Sequence, residues 1–251
     1  MNRLDATTPA GNDQFDWDHF DSEAYSDHNY RSVRDDDRQI MEIVRDFFAT
    51  AGVPEGARGV DVGAGANLYP SLAMLPFCAH IDFWEYSASN VAWLTRQTAS
   101  FDPNWDEFWD VYRSRSPYAE LADPRRALAE LAEVRQGSIF DLPAARWDLG
   151  TMFFVACSLS TDLAEFQRAV HAFVGALAPG APFASAFMAK SQGYYVADNW
   201  FPAVAVDEAE VARTLAPVAT DVRLTPIEIG DPIRDGYSGM IVATGRARRP
   251  D

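Results

Sequence analysis

The chain has 251 residues, 48% of them hydrophobic and 13% aromatic, enough to bury a sizeable core. Its 37 acidic residues against 21 basic ones leave a formal net charge of −16, which repels phosphate and speaks against nucleic acid or an anionic membrane as a main partner. No apolar run approaches the about 20 residues of a spanning helix, and the polar, acidic start lacks the apolar stretch of a secretory signal. A cytoplasmic, monomeric protein is expected. Cys78 and Cys157 are too far apart for a CxxC site and set no disulfide framework.

Residues 1 to about 18 are polar and are expected to be mobile at the start. In DDDRQIMEIVRDFFATAG, Ile40, Met41, Ile43, Val44, Phe47 and Phe48 recur at helical spacing. Asp35 to Asp37 sit where the helix dipole favours acids, and Gly52 is the stop. RGVDVG predicts a buried strand entering a glycine-rich turn, and LYPSLAMLPF a helix broken near Pro76. HIDFWEY predicts a strand, and SASNVAWLTRQTA a helix opened by Ser87. Apolar strands alternating with helices imply a parallel sheet with crossover helices.

Residues 101–135, aromatic and charged, interrupt that rhythm and read as a helical insertion, part of a cap. VRQGSIF then predicts a strand and turn, WDLGTMFFVACSL a long apolar strand, and TDLAEFQRAVHAFVGALAPG an amphipathic helix stopped by Gly180. APFASAFMA is a strand and VDEAEVARTLAPV a helix. DVRLTPIEI and GYSGMIVATGRA close the chain as a hairpin at the sheet edge. The fold class is α/β, a three-layer sandwich of about seven strands.

The clearest chemical signal is VDVGAGANLY. Gly63 and Gly65 stand where a strand turns into a helix, and a carboxylate, Glu85, follows 22 residues later at the end of the next strand. Glycine permits the turn and leaves room for a ligand, and the acid can hold ribose hydroxyls. A dinucleotide turn would carry a third glycine, but Leu68 occupies that place. No Lys or Arg lies in the turn, and Asp61 adds negative charge beside it. These features favour a nucleoside that is cationic and free of phosphate, as S-adenosylmethionine is.

The string resembles the small-molecule methyltransferases related to nicotinamide, phenylethanolamine and indolethylamine N-methyltransferases, over residues 20 to 246. FDSEAYSDHNY is similar to the family's N-terminal tyrosine motif, VDVGAGANLY to its glycine turn, and EYSASN to the end of its second strand. LAPGAPFASAFMAKSQGYYV is similar to its fifth-strand region. The resemblance implies a Rossmann-like class I methyltransferase fold, with residues 1–52 as lid and helix and 53–251 as core. It implies S-adenosylmethionine as methyl donor, with S-adenosylhomocysteine as product. It places Tyr25 and Tyr30 against the methionine moiety and aligns Gly63, Gly65 and Tyr69 with the turn. Glu85 becomes the ribose acid, and Asn90 a further cofactor contact. Ser191 and Tyr194 fall at substrate-side positions. The chain departs from the family pattern as well. Ser138 stands in place of the acid that meets adenine, with Asp141 or the backbone of Ile139 as substitutes. Cys157 and Phe187 stand where acids face the substrate, and Ala203 replaces a serine.

Methyl transfer from a sulfonium requires positioning and desolvation more than acid–base work, and no metal. Tyr86 and Tyr195 join the tyrosines that could face a sulfonium. His28, between the two lid tyrosines, is a candidate base beside Tyr30 and Tyr194. His80 and His171 read as structural, and Trp105, Trp109 and Trp200 as packing residues or pocket walls. The expected function is methyl transfer to a small molecule, with nitrogen as the acceptor atom. O- or C-methylation, a non-catalytic binder and an NAD-dependent oxidoreductase stay open.

Overall fold

Apolar strands that need cover on both faces build the frame. In the computed structural model, which describes residues 9–227, 230 and 236–249, Ala57–Val62 (β1) and Cys78–Glu85 (β2) run side by side and parallel. Ala132–Gln136 (β3), Leu149–Phe153 (β4) and Pro182–Ala189 (β5) extend the parallel sheet on either side. A separate two-stranded ribbon follows, Tyr194–Val196 (β6) and Asn199–Phe201 (β7). The antiparallel pair Ala219–Ile227 (β8) and Gly239–Ala247 (β9) then closes the edge, giving the order β3-β2-β1-β4-β5-β9-β8. This is the Rossmann-like sheet with a C-terminal hairpin that the element pattern implies. The end of DVRLTPIEI and the first eight residues lie outside the described residues, as does the mobility expected of that start.

The helices are Ser22–Asn29 (α1), Asp35–Thr50 (α2), Tyr69–Leu72 (α3), Ala88–Ala99 (α4), Asn104–Tyr112 (α5), Pro124–Leu131 (α6), Leu163–Ala176 (α7) and Glu208–Leu215 (α8). Side-chain caps start several of them: Asp21 on α1, Ser87 on α4, Asp123 on α6, Asp162 on α7 and Asp207 on α8. No helix among the described residues is long and apolar enough to cross a membrane.

Three elements differ from expectation. β4 stops at Phe153 instead of running through to Leu159, because Phe154 turns to φ 62° and a short 3-10 turn over Ala156–Ser158 follows. β3 starts at Ala132, inside the segment read as insertion, once the amphipathic run of α6 has ended. The predicted LYPSLAMLPF helix contracts to the four residues of α3, with Pro70 in its first turn and tighter turns after it.

The insertion is core, not cap. Trp105, Phe108, Trp109, Tyr112 and Tyr118 are all buried. The Tyr112 and Tyr118 hydroxyls donate to the carbonyls of Tyr69 and Ala73, each at 2.9 Å, pinning the insertion to α3 and the turn after it. Phe108 stacks on Tyr69 with ring centroids 5.9 Å apart and an interplanar angle of 6°. Tyr30 touches the same cluster edge-on, with Phe108 at 6.2 Å. Phe108→Ala should therefore destabilise the protein by about 3–5 kcal/mol in urea unfolding, as a buried aromatic truncation does.

Candidate active site

The turn after β1 and the end of β2 are held together by one carboxylate. Glu85 is 5% exposed, and its Oε1 accepts from the N–H groups of Tyr86 at 2.8 Å and Ser87 at 2.9 Å. Its Oε2 accepts from the Gly65 N–H at 2.9 Å. Burial pushes its pKa up, while the Ser87 and Gly65 N–H groups pull it back. Three backbone N–H groups thus sit on the carboxylate, and the Asn90 side chain adds a fourth donor's pull on it. The turn itself needs glycine. Gly63 has φ 66° and Gly65 φ 57°. The Gly63 N–H donates to the Trp84 carbonyl at 2.7 Å.

The N-terminal segment is fastened over this turn. Ala10 and Thr161 bond each other through the Ala10 N–H to Thr161 Oγ1 at 2.8 Å, and the Asn12 N–H donates to Glu165 Oε2 at 2.8 Å. Asp18 accepts from the first N–H of α4, Ala88, at 2.7 Å. Ser22 Oγ donates to Asn90 Oδ1 at 2.7 Å, joining α1 to α4. Trp17 stacks on Phe201 at 5.3 Å, tying the segment to β7. The five-residue spacing of Tyr25 and Tyr30 implied a bend, and one is present. Tyr30 caps α1 with φ −127° and ψ 24°, so it leaves the helix and enters the core.

Two cavities meet under this cover. The first, a cleft of about 860 Å³ open in part to solvent, is lined by Gly63 to Asn67, Glu85, Tyr86, Asn90, Ser138 and Ile139, and by Tyr25, Tyr30 and Tyr194. Among the described residues Glu85 is its only charged wall residue, and no Lys or Arg lines it, a wall that disfavours a pyrophosphate and suits a nucleoside without phosphate. The second, about 1270 Å³, is lined by Tyr25, His28, Tyr30, Asp37, Met188, Gly193, Tyr194, Tyr195, Trp200 and Met240 among others. Tyr25, Tyr30, Phe154, Ser158 and Tyr194 belong to both walls.

Most residues singled out from the sequence as cofactor or substrate contacts converge here, but several do not. Tyr69 is fully buried behind the wall on Phe108. Asp61 lies beneath the turn, accepts from Ser71 Oγ through Oδ2, and has no partner at Oδ1. Burial raises its pKa to about 7. Cys157 is a buried thiol that accepts from the Met188 N–H at 3.4 Å, and Phe187 packs edge-on to Phe166 at 5.7 Å. Ser191 is fully buried. None of the five lines either cavity; for Asp61 on β1 and Phe187 on β5 the reason is that alternate strand residues point away from the cleft. Asp141 is exposed and outside both linings, so Ser138 and Ile139 hold that stretch of wall. Trp105 and Trp109 are core, whereas Trp200 and Tyr195 do line the second cavity. His171 Nε2 meets the Thr214 carbonyl at 2.8 Å, in a structural role.

Sequence reasoning missed Trp84, Gly137, Phe154, Val155 and Ser158 in the walls. The φ 62° at Phe154 re-aims that loop, and no glycine or proline announced it. One cluster that could hold a metal, His80, Asp82 and Glu133, occurs among the described residues. It sits toward the other end of β2, where Arg135 and Trp147 already bind both oxygens of Asp82.

No protein-family model matches the chain. A curated relative, phenylethanolamine N-methyltransferase of Mus musculus, is 26% identical over 235 residues, 81% of this chain and 75% of that protein. Among solved structures, the glycopeptide N-methyltransferase MtfA, complexed with S-adenosylhomocysteine, superposes with a TM-score of 0.52 at 15% identity. The match covers 82% of this chain and 89% of MtfA. The chain has the Rossmann-like methyltransferase fold. The CurJ carbon methyltransferase has it too, with a TM-score of 0.53 at 13% identity over 90% of this chain and 58% of that one. One fold thus serves nitrogen and carbon acceptors alike, so the acceptor atom must be argued from the site.

The two glycines should respond differently. A Cβ on Gly63 would lie 2.7 Å from Val155 Cγ2, whereas on Gly65 the nearest atom is 3.8 Å away. Both alanine variants bear the strain of positive φ, but Gly63→Ala adds a clash with Val155, a neighbour the turn sequence does not reveal. Thermal melts should show the larger loss for Gly63→Ala.

Asp61 makes a pH prediction. Burial raises its carboxyl from the ordinary aspartate value of 3.8 to about 7 in the fold. The folded state therefore holds the proton longer than the unfolded chain. The contribution to stability is complete below pH 4 and is lost as pH rises to 7. Asp61→Asn should flatten the fall of unfolding free energy across that window by up to about 1.4 kcal/mol per pH unit.

Proposed function

We propose that the chain moves a methyl group from S-adenosylmethionine to a nitrogen of a small molecule. The observation that carries this reading is the pair of cavities joined through Tyr25, Tyr30, Phe154, Ser158 and Tyr194. One side suits a phosphate-free nucleoside, and the other leaves room for a second reactant beside it. The N-methyltransferase relative supports the choice of nitrogen.

When bound, S-adenosylmethionine supplies a methyl group activated by its sulfonium. The chain's own residues do the rest. Glu85, in the cavity wall, would take a ribose hydroxyl, and the glycine turn admits the nucleoside at close range. Ser138 and Ile139 would border the base. Tyr25, Tyr30 and Tyr194 wall the junction, where aromatic faces favour a cation by about 0.5–2 kcal/mol each. The fastened N-terminal segment excludes water and fixes the two reactants at reacting distance, the main source of rate in such a displacement. In this reading the protein works on a small molecule and needs no nucleic-acid or membrane partner. His28, exposed at the rim of the second cavity, would be a proton acceptor only for an acceptor that reaches it.

Calorimetry with S-adenosylhomocysteine and with NAD separates the cofactor classes, and binding of the former alone is expected. Glu85→Ala should weaken that binding by about 1–3 kcal/mol, because it unpairs a ribose donor. The acceptor class is read by mass spectrometry after incubation with labelled methyl donor and parallel sets of amines, alcohols and carbon acids. Label confined to alcohols or carbon acids would reject nitrogen as the acceptor.

A further inference from the structure

Asp37 is a buried acid with one orphaned oxygen. An acid in a first helical turn ordinarily faces water and complements the dipole, as exposed Asp35 does. Asp37 is 2% exposed, and its Oδ2 has no hydrogen-bond partner. Its neighbour Asp36 takes the available cation, with Arg34 Nε at 3.2 Å. The Tyr69 hydroxyl lies close enough to pull the Asp37 pKa down, yet neither it nor Oδ2 has a partner at normal hydrogen-bond geometry. A buried carboxylate left this way is costly unless something else satisfies it. Asp37 lines the second cavity, and no Lys or Arg does so among the described residues. Around it stand Tyr25, Tyr30, Tyr194, Tyr195 and Trp200, faces that favour a cation and an apolar body.

We infer that Asp37 is the specificity residue of the acceptor chamber, its free oxygen seating the ammonium of an amine whose apolar part lies on the surrounding aromatic rings. The inference rests on the methyltransferase reading for the role of the chamber, and it names the acceptor's class as a primary or secondary amine. The methyl step itself then needs the neutral amine, so a proton must leave the nitrogen first. Asp37 Oδ2 is placed to take it, and the freed lone pair forms the C–N bond as the C–S bond breaks with its electrons going to sulfur. Burial, then the charge of Asp36, raise the Asp37 pKa to about 7, which suits a group that both holds and accepts a proton. The groups facing Asp37 are Arg34 and Asp36 on its own helix, Tyr25 and His28 on α1, Tyr30 after it, Tyr69 on α3, Tyr112 on α5, and Tyr194 and Tyr195 on β6.

The test titrates the full-length protein, saturated with S-adenosylhomocysteine, with 4-phenylbutylamine and with its neutral counterpart 4-phenylbutanol at pH 8. The amine should bind at least tenfold more tightly than the alcohol. Asp37→Asn should remove that preference and leave alcohol and S-adenosylhomocysteine binding unchanged. Amine affinity in the parent protein should also rise as pH goes from 6 to 8, since the carboxylate forms over that range. Equal affinity for amine and alcohol, failure of the amine to bind at millimolar concentration, or an undiminished preference in Asp37→Asn overturns the inference. Should Asp37→Asn not fold, the amine–alcohol comparison and its pH course in the parent protein still decide. Failure of S-adenosylhomocysteine itself to bind would reject the methyltransferase reading, a separate outcome.

Discussion

Glu85 is the group on which the rest of the cleft depends. Two chain reversals, the turn after β1 and the step from β2 into α4, would each leave backbone N–H groups pointing into an enclosed space. A single buried carboxylate satisfies three of them and so fixes the distance between the two strand ends. Its charge is tolerable because those N–H dipoles converge on it, in a wall with no cationic side chain. The turn glycines, the start of α4 and the floor of the first cavity take their positions from this arrangement.

The cover is built on a different principle. It holds few apolar anchors of its own and is attached by hydrogen bonds and by aromatic rings shared with other elements. Asn104 Nδ2 donates to the Tyr30 carbonyl at 2.8 Å, so the insertion helix positions the tyrosine where α1 ends. Trp17, Phe20 and Tyr25 reach the β6–β7 ribbon through Phe201. The insertion, the ribbon and the N-terminal segment are far apart in sequence, yet each holds part of the wall that encloses the junction.

Much of this was legible in the chain. The order of apolar strands and amphipathic helices carried the sheet, and Gly63, Gly65 and Glu85 carried the cleft, because backbone geometry there admits few residue types. What was not legible depended on direction. Asp61, Tyr69, Cys157, Phe187 and Ser191 lie next to the site in sequence but on the far side of their strands or turns, and only the register decides that. Phe154 enters the wall through a left-handed backbone that no glycine marks. Asp37 read as one of three dipole-facing acids, and its difference from Asp35 is a matter of rotation about α2 alone.

Asn90 belongs to two structures at once. Its side chain lines the first cavity beside the glycine turn, and its Oδ1 holds Ser22 and with it the start of α1. A side chain with two such duties cannot serve them independently. The cavity wall and the attachment of the cover therefore share one side chain, so a substitution at Asn90 disturbs both together.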